Sequence, residues 1–469
     1  MEANQAVQTN AVSVKTKTKA SFYQIVWRWH FYAGLFAAPF LIVLAISGGV
    51  YLFKPQIESM LYKDLYYVEQ ASDASEATAL APSALIHFVQ QMHPDGQINS
   101  IMFYDDRTRT VEIGMTENDI ASSVFINPYS GEVLGSLVSG ERFTDIFVKM
   151  HSELIIGGTV ANYLVELAAC WTVILLLTGL YMWWPRNRAS IWGTVLPRFR
   201  QKGKVFWRDM HAVPAFWLSL FILILVLTGL PWSAVTGKQI SSLATSTNTG
   251  YPPYALGHGA KPESTLKTKD VAKGGPWATE NLPVPVSMAN NYVPLTINEA
   301  VTIAEGAKVE KPYRVVLPKT EKGVYTVTTR HTVPGGEATL HLDQYSGAIL
   351  SDVRYADYGI MGKAITVGIA LHEGRLFGLA NQLLGLITCL GVIGIVISSF
   401  VMWRKRKPQA KLGSPTPSKD KHRTRVVFVL MLVMGVLMPL VGISIIVVFV
   451  LDRFVLSRIK PVKAWLHGA

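Results

Sequence analysis

Five long apolar runs set the plan of the chain, at residues 31–53, 163–184, 212–235, 377–403 and 426–451. A helix of about 20 residues crosses a bilayer's hydrocarbon core, so each run is long enough to span. Four of them hold no charged residue, and the run at 163–184 holds only Glu166, near its start. Pro439 interrupts the fifth run, an interruption that a membrane helix tolerates. The first run is too long for a signal-peptide core and lacks a small-x-small cleavage site after it, so it reads as a retained anchor.

Between the runs the pattern shifts to short polar-flanked segments. Residues 83–92 and 296–306 have the spacing of amphipathic helices. Residues 98–104, 110–115, 122–126 and 132–135, and then 313–317, 324–330 and 338–342, alternate as strands bounded by turn residues. Residues 236–295, with seven prolines and six glycines, read as a long loop or irregular insertion. The expected fold is an α-helical membrane bundle, a pseudo-symmetric four-helix core plus a fifth helix, with two small α+β external domains at 54–162 and 236–376.

An internal duplication organises these pieces. Laying His30 on His211 superposes the first run on the third and aligns Trp27-Arg28 with Trp207-Arg208. At the same distance after each of those histidines stands a hydroxyl-glycine pair, Ser47-Gly48 and Thr228-Gly229. Laying His151 on His372 superposes the second run on the fourth and aligns Gly157 with Gly378 and Thr178 with Ser399. The external regions share Asn127-Pro128-Tyr129-Ser130-Gly131 and Asp343-Gln344-Tyr345-Ser346-Gly347.

Charge then fixes orientation. The net charge is +12, yet residues 1–30, 185–210 and 404–425 hold 20 of the 44 Lys+Arg and three of the 32 Asp+Glu. Those segments carry +17 and leave the rest at −5. Short basic connections mark the cytoplasmic side, so the basic excess reports topology in a lipid bilayer, and nucleic-acid binding is not expected. The segments 1–30, 185–211 and 404–425 are placed inside, and 54–162 and 236–376 outside. Reading 426–451 as a full span puts the tail, 452–469, outside against the rule; a hairpin is the alternative. Charged residues make up only 16% of the chain, against about 25% in soluble proteins, which excludes a purely soluble enzyme. Two cysteines inside apolar runs exclude a disulfide scaffold.

The candidate chemistry lies in four histidines, His30, His211, His151 and His372, one per repeat-related span and each near a membrane face. Ionisable side chains there are costly and tend to be functional. Neutral imidazole is a good iron ligand, and helix bundles build cofactor sites from facing helices. The expected role is axial ligation of haem, with His30 paired to His211 and His151 to His372. Two haems follow from that pairing, or one haem if only one pair ligates. No Cys-x-x-Cys-His is present for covalent attachment, so the haem would be b-type. The hydroxyl-glycine pairs and Cys170 and Cys389 read as packing features, and Trp183, Trp184 and Trp403 as interfacial anchors. Glu166 reads either as a partner of the cofactor site or as a carboxylate at the membrane edge. His93, His258, His331 and His341 read as surface histidines, with binding of a metal-bearing substrate as the alternative. No catalytic nucleophile or general base is expected. No G-x-G-x-x-G or Walker-type loop occurs, so electrons would come from a separate cytoplasmic reductase or a membrane quinol.

The motifs Trp27-Arg28-Trp29-His30, Asn127-Pro128-Tyr129-Ser130-Gly131-Glu132-Val133-Leu134-Gly135, Met150-His151 and Thr178-Gly179-Leu180-Tyr181-Met182-Trp183-Trp184-Pro185-Arg186 resemble those of the PepSY-associated transmembrane family. That family comprises iron-regulated inner-membrane proteins and includes periplasmic ferric-siderophore reductases. The likeness runs from about residue 22 to 455; the fourth run departs from it by ending Phe400-Val401-Met402-Trp403-Arg404. The resemblance implies a bacterial inner-membrane protein with PepSY domains in the periplasm and haem between its helices. Its implied activity is electron delivery to a ferric siderophore or other ferric chelate, which loosens the iron for release. A haem-free PepSY regulatory protein and a siderophore transporter are the alternatives.

Overall fold

The computed structural model describes residues 22–68, 78–185, 190–251, 264–288, 293–330, 333–409, 411–415 and 420–454, with 458, 459, 461 and 465 beyond them. Helix α1, Phe22–Tyr51, begins ahead of the apolar run it contains. Short helices α2 (Lys54–Leu61) and α3 (Lys63–Tyr66) lead from it to the sheet domain. There α4 (Pro82–Met92) precedes strands β1 (Gln97–Phe103), β2 (Val111–Glu117), β3 (Ile120–Ile126) and β4 (Val133–Val138). Helix α5, Phe143–Glu153, turns the chain back to the bundle and stops at Leu154, whose φ of 53° is left-handed. Helices α6 (Gly158–Trp183) and α7 (Lys204–Gly229) follow.

The second half repeats the order with additions. Helices α8 (Thr236–Ser246) and α9 (Thr268–Val271) occupy part of the expected loop, and α10 (Ile297–Gly306) is started by a Thr296–Glu299 capping box. Strands β5 (Tyr313–Val316), β6 (Val324–Thr329), β7 (Ala338–Asp343) and β8 (Ile349–Arg354) come next, then α11 (Ile360–His372) and α12 (Gly378–Arg404). Strand β8 has no counterpart among the expected strands.

Four helices, Phe22–Tyr51, Gly158–Trp183, Lys204–Trp232 and Gly378–Arg404, are long and apolar enough to cross a membrane. Helix α1 packs on α6 and α12, and α7 packs on the same two, so α1 and α7 face each other across the ring. Apolar side chains such as Leu220, Ile387 and Leu390 remain exposed on the outside, as a lipid-facing surface requires.

The two expected external domains are one. Strands β1 and β5 pair antiparallel, Ser100 opposite Val316 through Phe103 opposite Tyr313, and the sheet runs β4-β3-β2-β1-β5-β6-β7-β8. Helices α4 and α10 lie on one face and bury Leu85, Val89, Ala300 and Ala304 against Ile101, Ile113, Val315, Val327 and Leu340. The insertion covers the other face of β6 and β7: Thr279 hydrogen-bonds Thr339 at 2.7 Å, and Thr268 reaches His341 at 3.3 Å. That second cover explains why every residue of β6 and β7 is buried. The shared Tyr-Ser-Gly segments are turns, as expected. Asn127 Oδ1 accepts from the Tyr129 and Ser130 amides, and Asp343 Oδ1 from those of Tyr345 and Ser346.

The fifth run, expected as one span, is two helices, α13 (Lys421–Leu437) and α14 (Pro439–Phe454). Proline at 439 cannot supply the amide that would continue α13. Gly435 and Gly442 then touch across the fold, so that a Cβ on Gly435 would lie 2.7 Å from the Gly442 Cα. Leu412 N donates to the Trp465 carbonyl at 3.0 Å, which returns the chain to the end of the bundle carrying the basic connections. The run is a helical hairpin against α1 and α6, and the conflict with the charge rule disappears.

Candidate cofactor site

His30 lies on α1 and His211 on α7, both within the helices rather than at their ends. Their ring centres are 6.4 Å apart, with planes crossing at 84°. His151 is in the last turn of α5 and His372 ends α11; their ring centres are 6.2 Å apart, with planes at 74°. The structure thus brings the four histidines together in the two pairs the repeat anticipates. Each is at least partly buried.

The hydroxyls of the neighbouring spans determine which ring nitrogen carries the proton. Thr178 Oγ1 donates to the Ile174 carbonyl at 2.6 Å and stands 2.8 Å from His30 Nδ1. With its only proton committed, the hydroxyl accepts, so Nδ1 is the N–H of His30. Ser47 does the same for His151, bonding Val43 O at 2.7 Å and His151 Nδ1 at 3.0 Å. Thr228 does so for His372, bonding Ile224 O at 2.7 Å and His372 Nδ1 at 3.1 Å. His211 Nδ1 meets the Ile395 carbonyl at 3.0 Å, and a carbonyl only accepts. All four rings therefore present a bare Nε2 lone pair. Ser399, the repeat partner of Thr178, bonds Val396 O instead, which is where the second repeat departs.

A glycine follows each of the three hydroxyl residues and lets the imidazole approach the helix. A Cβ on Gly179 would lie 3.3 Å from His30 Cε1. On Gly48 it would lie 3.2 Å from His151 Cε1, and on Gly229 3.2 Å from His372 Cε1. These hydroxyl-glycine pairs, expected as packing features, are the residues that aim the rings. Their signal was present in the sequence as the equal spacing from His30 to Ser47 and from His211 to Thr228. At about 1.5 Å per residue that spacing separates the two pairs by about 25 Å along the helices, most of the membrane's hydrocarbon depth.

The paired geometry fits a metal shared by two imidazoles. Metal–nitrogen bonds of about 2 Å, with about 1.2 Å from each nitrogen to its ring centre, hold the centres about 6.4 Å apart. The observed separations of 6.4 and 6.2 Å lie close to that value. Among the described residues no group of three or more His, Cys, Asp or Glu side chains that could hold a metal ion converges, and the histidines meet in twos. A cavity of about 650 Å³ adjoins His151 and His372 and is bounded by Leu44, Val226 and Val392 from the bundle and by Trp277 and Arg330 from the sheet domain.

The remaining candidates have other roles. His341 is buried in β7, with Nδ1 3.0 Å from Thr326 Oγ1, so it is a core residue and not the expected surface histidine. Burial pushes its pKa down to about 4. His93 pairs with Glu117 at 3.1 Å. His258 and His331 lie outside the described residues. Glu166 lines the cavity beside His151 and His372 and accepts from Val235 N and Thr236 N, each at 2.8 Å, and from Thr236 Oγ1 at 2.6 Å, capping α8. Trp183 stacks on Phe216 at 3.9 Å and donates to the Thr194 carbonyl. Cys170 and Cys389 are both buried with free thiols.

Four apolar helices, an eight-stranded antiparallel sheet and facing pairs of buried histidines define a multi-span membrane protein with a separate sheet domain. The chain belongs to the PepSY-associated TM region family, whose model matches residues 27–406. No curated protein matches it.

Proposed function

We propose that the protein is an inner-membrane oxidoreductase that binds two b-type haems, one through His30 and His211 and one through His151 and His372. The observation that carries the proposal is the oxygen beside each Nδ1, from Thr178, Ile395, Ser47 and Thr228, in histidines that meet in two pairs, an arrangement that suits a proton on Nδ1 and a free Nε2. A histidine that ligates metal generally donates its other nitrogen to just such an acceptor, which orients the ring and raises its basicity. When bound, the haems would supply one-electron transfer across the bilayer, ending in reduction of Fe³⁺ in a ferric siderophore or similar chelate.

The chain's own residues do the rest. Gly48, Gly179 and Gly229 keep the rings close to their helices, and the apolar walls of the bundle exclude water from the ligating nitrogens. The pseudo-symmetric ring of α1, α6, α7 and α12 would present one pair at the basic, cytoplasmic end and the other under the PepSY sheet in the periplasm. Hard oxygen donors hold Fe³⁺ far better than Fe²⁺, so reduction alone releases the iron and no protein nucleophile or base is required. Electrons would arrive from a cytoplasmic reductase or a membrane quinol.

Proteoliposomes with dithionite trapped inside and a ferric hydroxamate outside test the reading. Formation of the ferrous–ferrozine complex outside, lost in His30→Ala and in His372→Ala, supports it. Uptake of labelled chelate without any reductant would replace it with a transporter, and colourless protein from haem-fed cells would leave a regulatory role.

A further inference from the structure

The cavity beside His151 and His372 is walled jointly by the bundle and the sheet domain. Its lining includes Gly48 and both histidines on one side and Gly274, Trp277 and Arg330 on the other. Arg330 directly follows β6, and Gly274 and Trp277 belong to the insertion that only the second repeat carries.

Among the described residues, Arg330 is seated there with no carboxylate at ion-pair distance. Its Nη1 donates to the Lys273 carbonyl at 2.6 Å. Gly274 makes the seat possible: its φ is +74°, and a Cβ on it would lie 2.6 Å from Arg330 Nη1. A guanidinium has five N–H donors in a planar fork, and among the described residues Lys273 O is the one hydrogen-bond partner this fork has. The other arginine lining the cavity, Arg375, pairs with Glu373 at 2.7 Å. Burial and the nearby Arg314 outweigh the pull of Glu112 and bring the pKa of Arg330 down to about 10. A partly buried guanidinium with no carboxylate in ion-pair contact is a ready site for an entering anion.

We propose that Arg330, seated by the Lys273–Gly274 turn, binds a carboxylate in the cavity next to the outer histidine pair. The proposal rests on the haem reading. A carboxylate has two sources here, a propionate of a haem held by His151 and His372, or a carboxylate-bearing ferric chelate entering the cavity. The first is the one we assign, because Arg330 and both histidines line a single cavity, and a planar fork receives a carboxylate with two parallel bonds. The insertion then has a definite role, since its turn holds the cation that the first repeat lacks.

The test uses the full-length, haem-loaded protein in detergent, with Arg330→Gln, Arg330→Lys and Gly274→Ala. Transfer of haem to excess apomyoglobin should become at least tenfold faster for one haem in Arg330→Gln and Gly274→Ala, with Arg330→Lys between them and wild type. Losing the positive charge also favours ferric iron, so the same haem's reduction equilibrium should fall about tenfold, about 59 mV for a one-electron couple. The other haem should be unchanged. Gly274→Ala keeps the charge and moves only its seat, so agreement between the two variants supports the geometry.

Ferric citrate separates the sources. If haem release and potential stay at wild-type values while half-saturation by ferric citrate rises tenfold, the carboxylate comes from the chelate and the propionate assignment is overturned. If neither changes, the whole proposal is overturned. A wild-type protein that holds no haem overturns the haem reading itself, before any variant is compared.

Discussion

Replacing Thr178 with valine keeps the shape of the side chain and removes the oxygen 2.8 Å from His30 Nδ1, leaving the Leu175 carbonyl as the acceptor beside the ring. Losing one of the hydrogen bonds to a buried ring costs about 0.5–1.5 kcal/mol. Independently, removing the group that orients a metal-bound histidine lowers metal affinity by about 10- to 100-fold, which is about 1.4–2.8 kcal/mol. The two figures meet near tenfold, so Thr178→Val should release one haem about tenfold faster to apomyoglobin. The other haem should stay, because His151 and His372 are held by Ser47 and Thr228. Freed from Thr178, the His30 ring can also take the proton on Nε2, which removes its lone pair. Thr178→Ser keeps the oxygen and should behave as wild type. Wild-type haem retention in Thr178→Val would refute the tautomer argument, and loss of both haems would refute the independence of the two pairs.

Other consequences follow from single contacts. Gly229→Ala places a methyl 3.2 Å from His372 Cε1 and should disturb only the outer haem's spectrum. Glu166→Gln weakens the cap on α8 by about 0.5–2 kcal/mol, lowering the thermal midpoint. In the sheet domain, burial pushes the Glu112 carboxyl up, but Arg142 and Arg314, with hydrogen bonds from Ser123 and Tyr104, overcome it and hold it at about 2. A carboxyl depressed below its ordinary 4.5 stabilises the fold above that pH, and the stabilisation disappears as pH falls toward 2. Near-UV dichroism should show Glu112→Gln flattening that acid limb and, by stranding two arginines, losing about 3–5 kcal/mol at neutral pH. A reporter fused after Ala469 should lie on the same side of the membrane as one inserted at 404–425; the opposite side would contradict the hairpin.

Much of this was legible in the sequence because local properties and a repeat encode it. Four spans, two histidine pairs and seven of the eight strands follow from apolar run length, alternation and two constant shifts. The charge rule left the hairpin open as the alternative, but the length and apolarity of residues 426–451 favoured a span, and the contact of Gly435 with Gly442 decides for the fold at Pro439. The joining of the external domains depends on β1 meeting β5, a pairing between edges from opposite halves of the duplication that no local pattern records. Ser47, Thr178 and Thr228 were visible at matching positions, but their meaning required knowing that each hydroxyl's own proton is already committed to a helix carbonyl. His341 looked exposed because a histidine in a strand gives no sign that a distant insertion will cover it.

The central claim is that the histidines work as two separate ligand pairs, and haem stoichiometry in the four single His→Ala variants tests it most directly. The wild-type protein, purified in detergent from haem-fed cells, should carry two b-type haems per chain by pyridine haemochrome. His30→Ala and His211→Ala should each lose the same haem, and His151→Ala and His372→Ala the other. A wild-type protein without a dithionite-reduced α band, or His30→Ala and His211→Ala proteins that keep both haems, would contradict it.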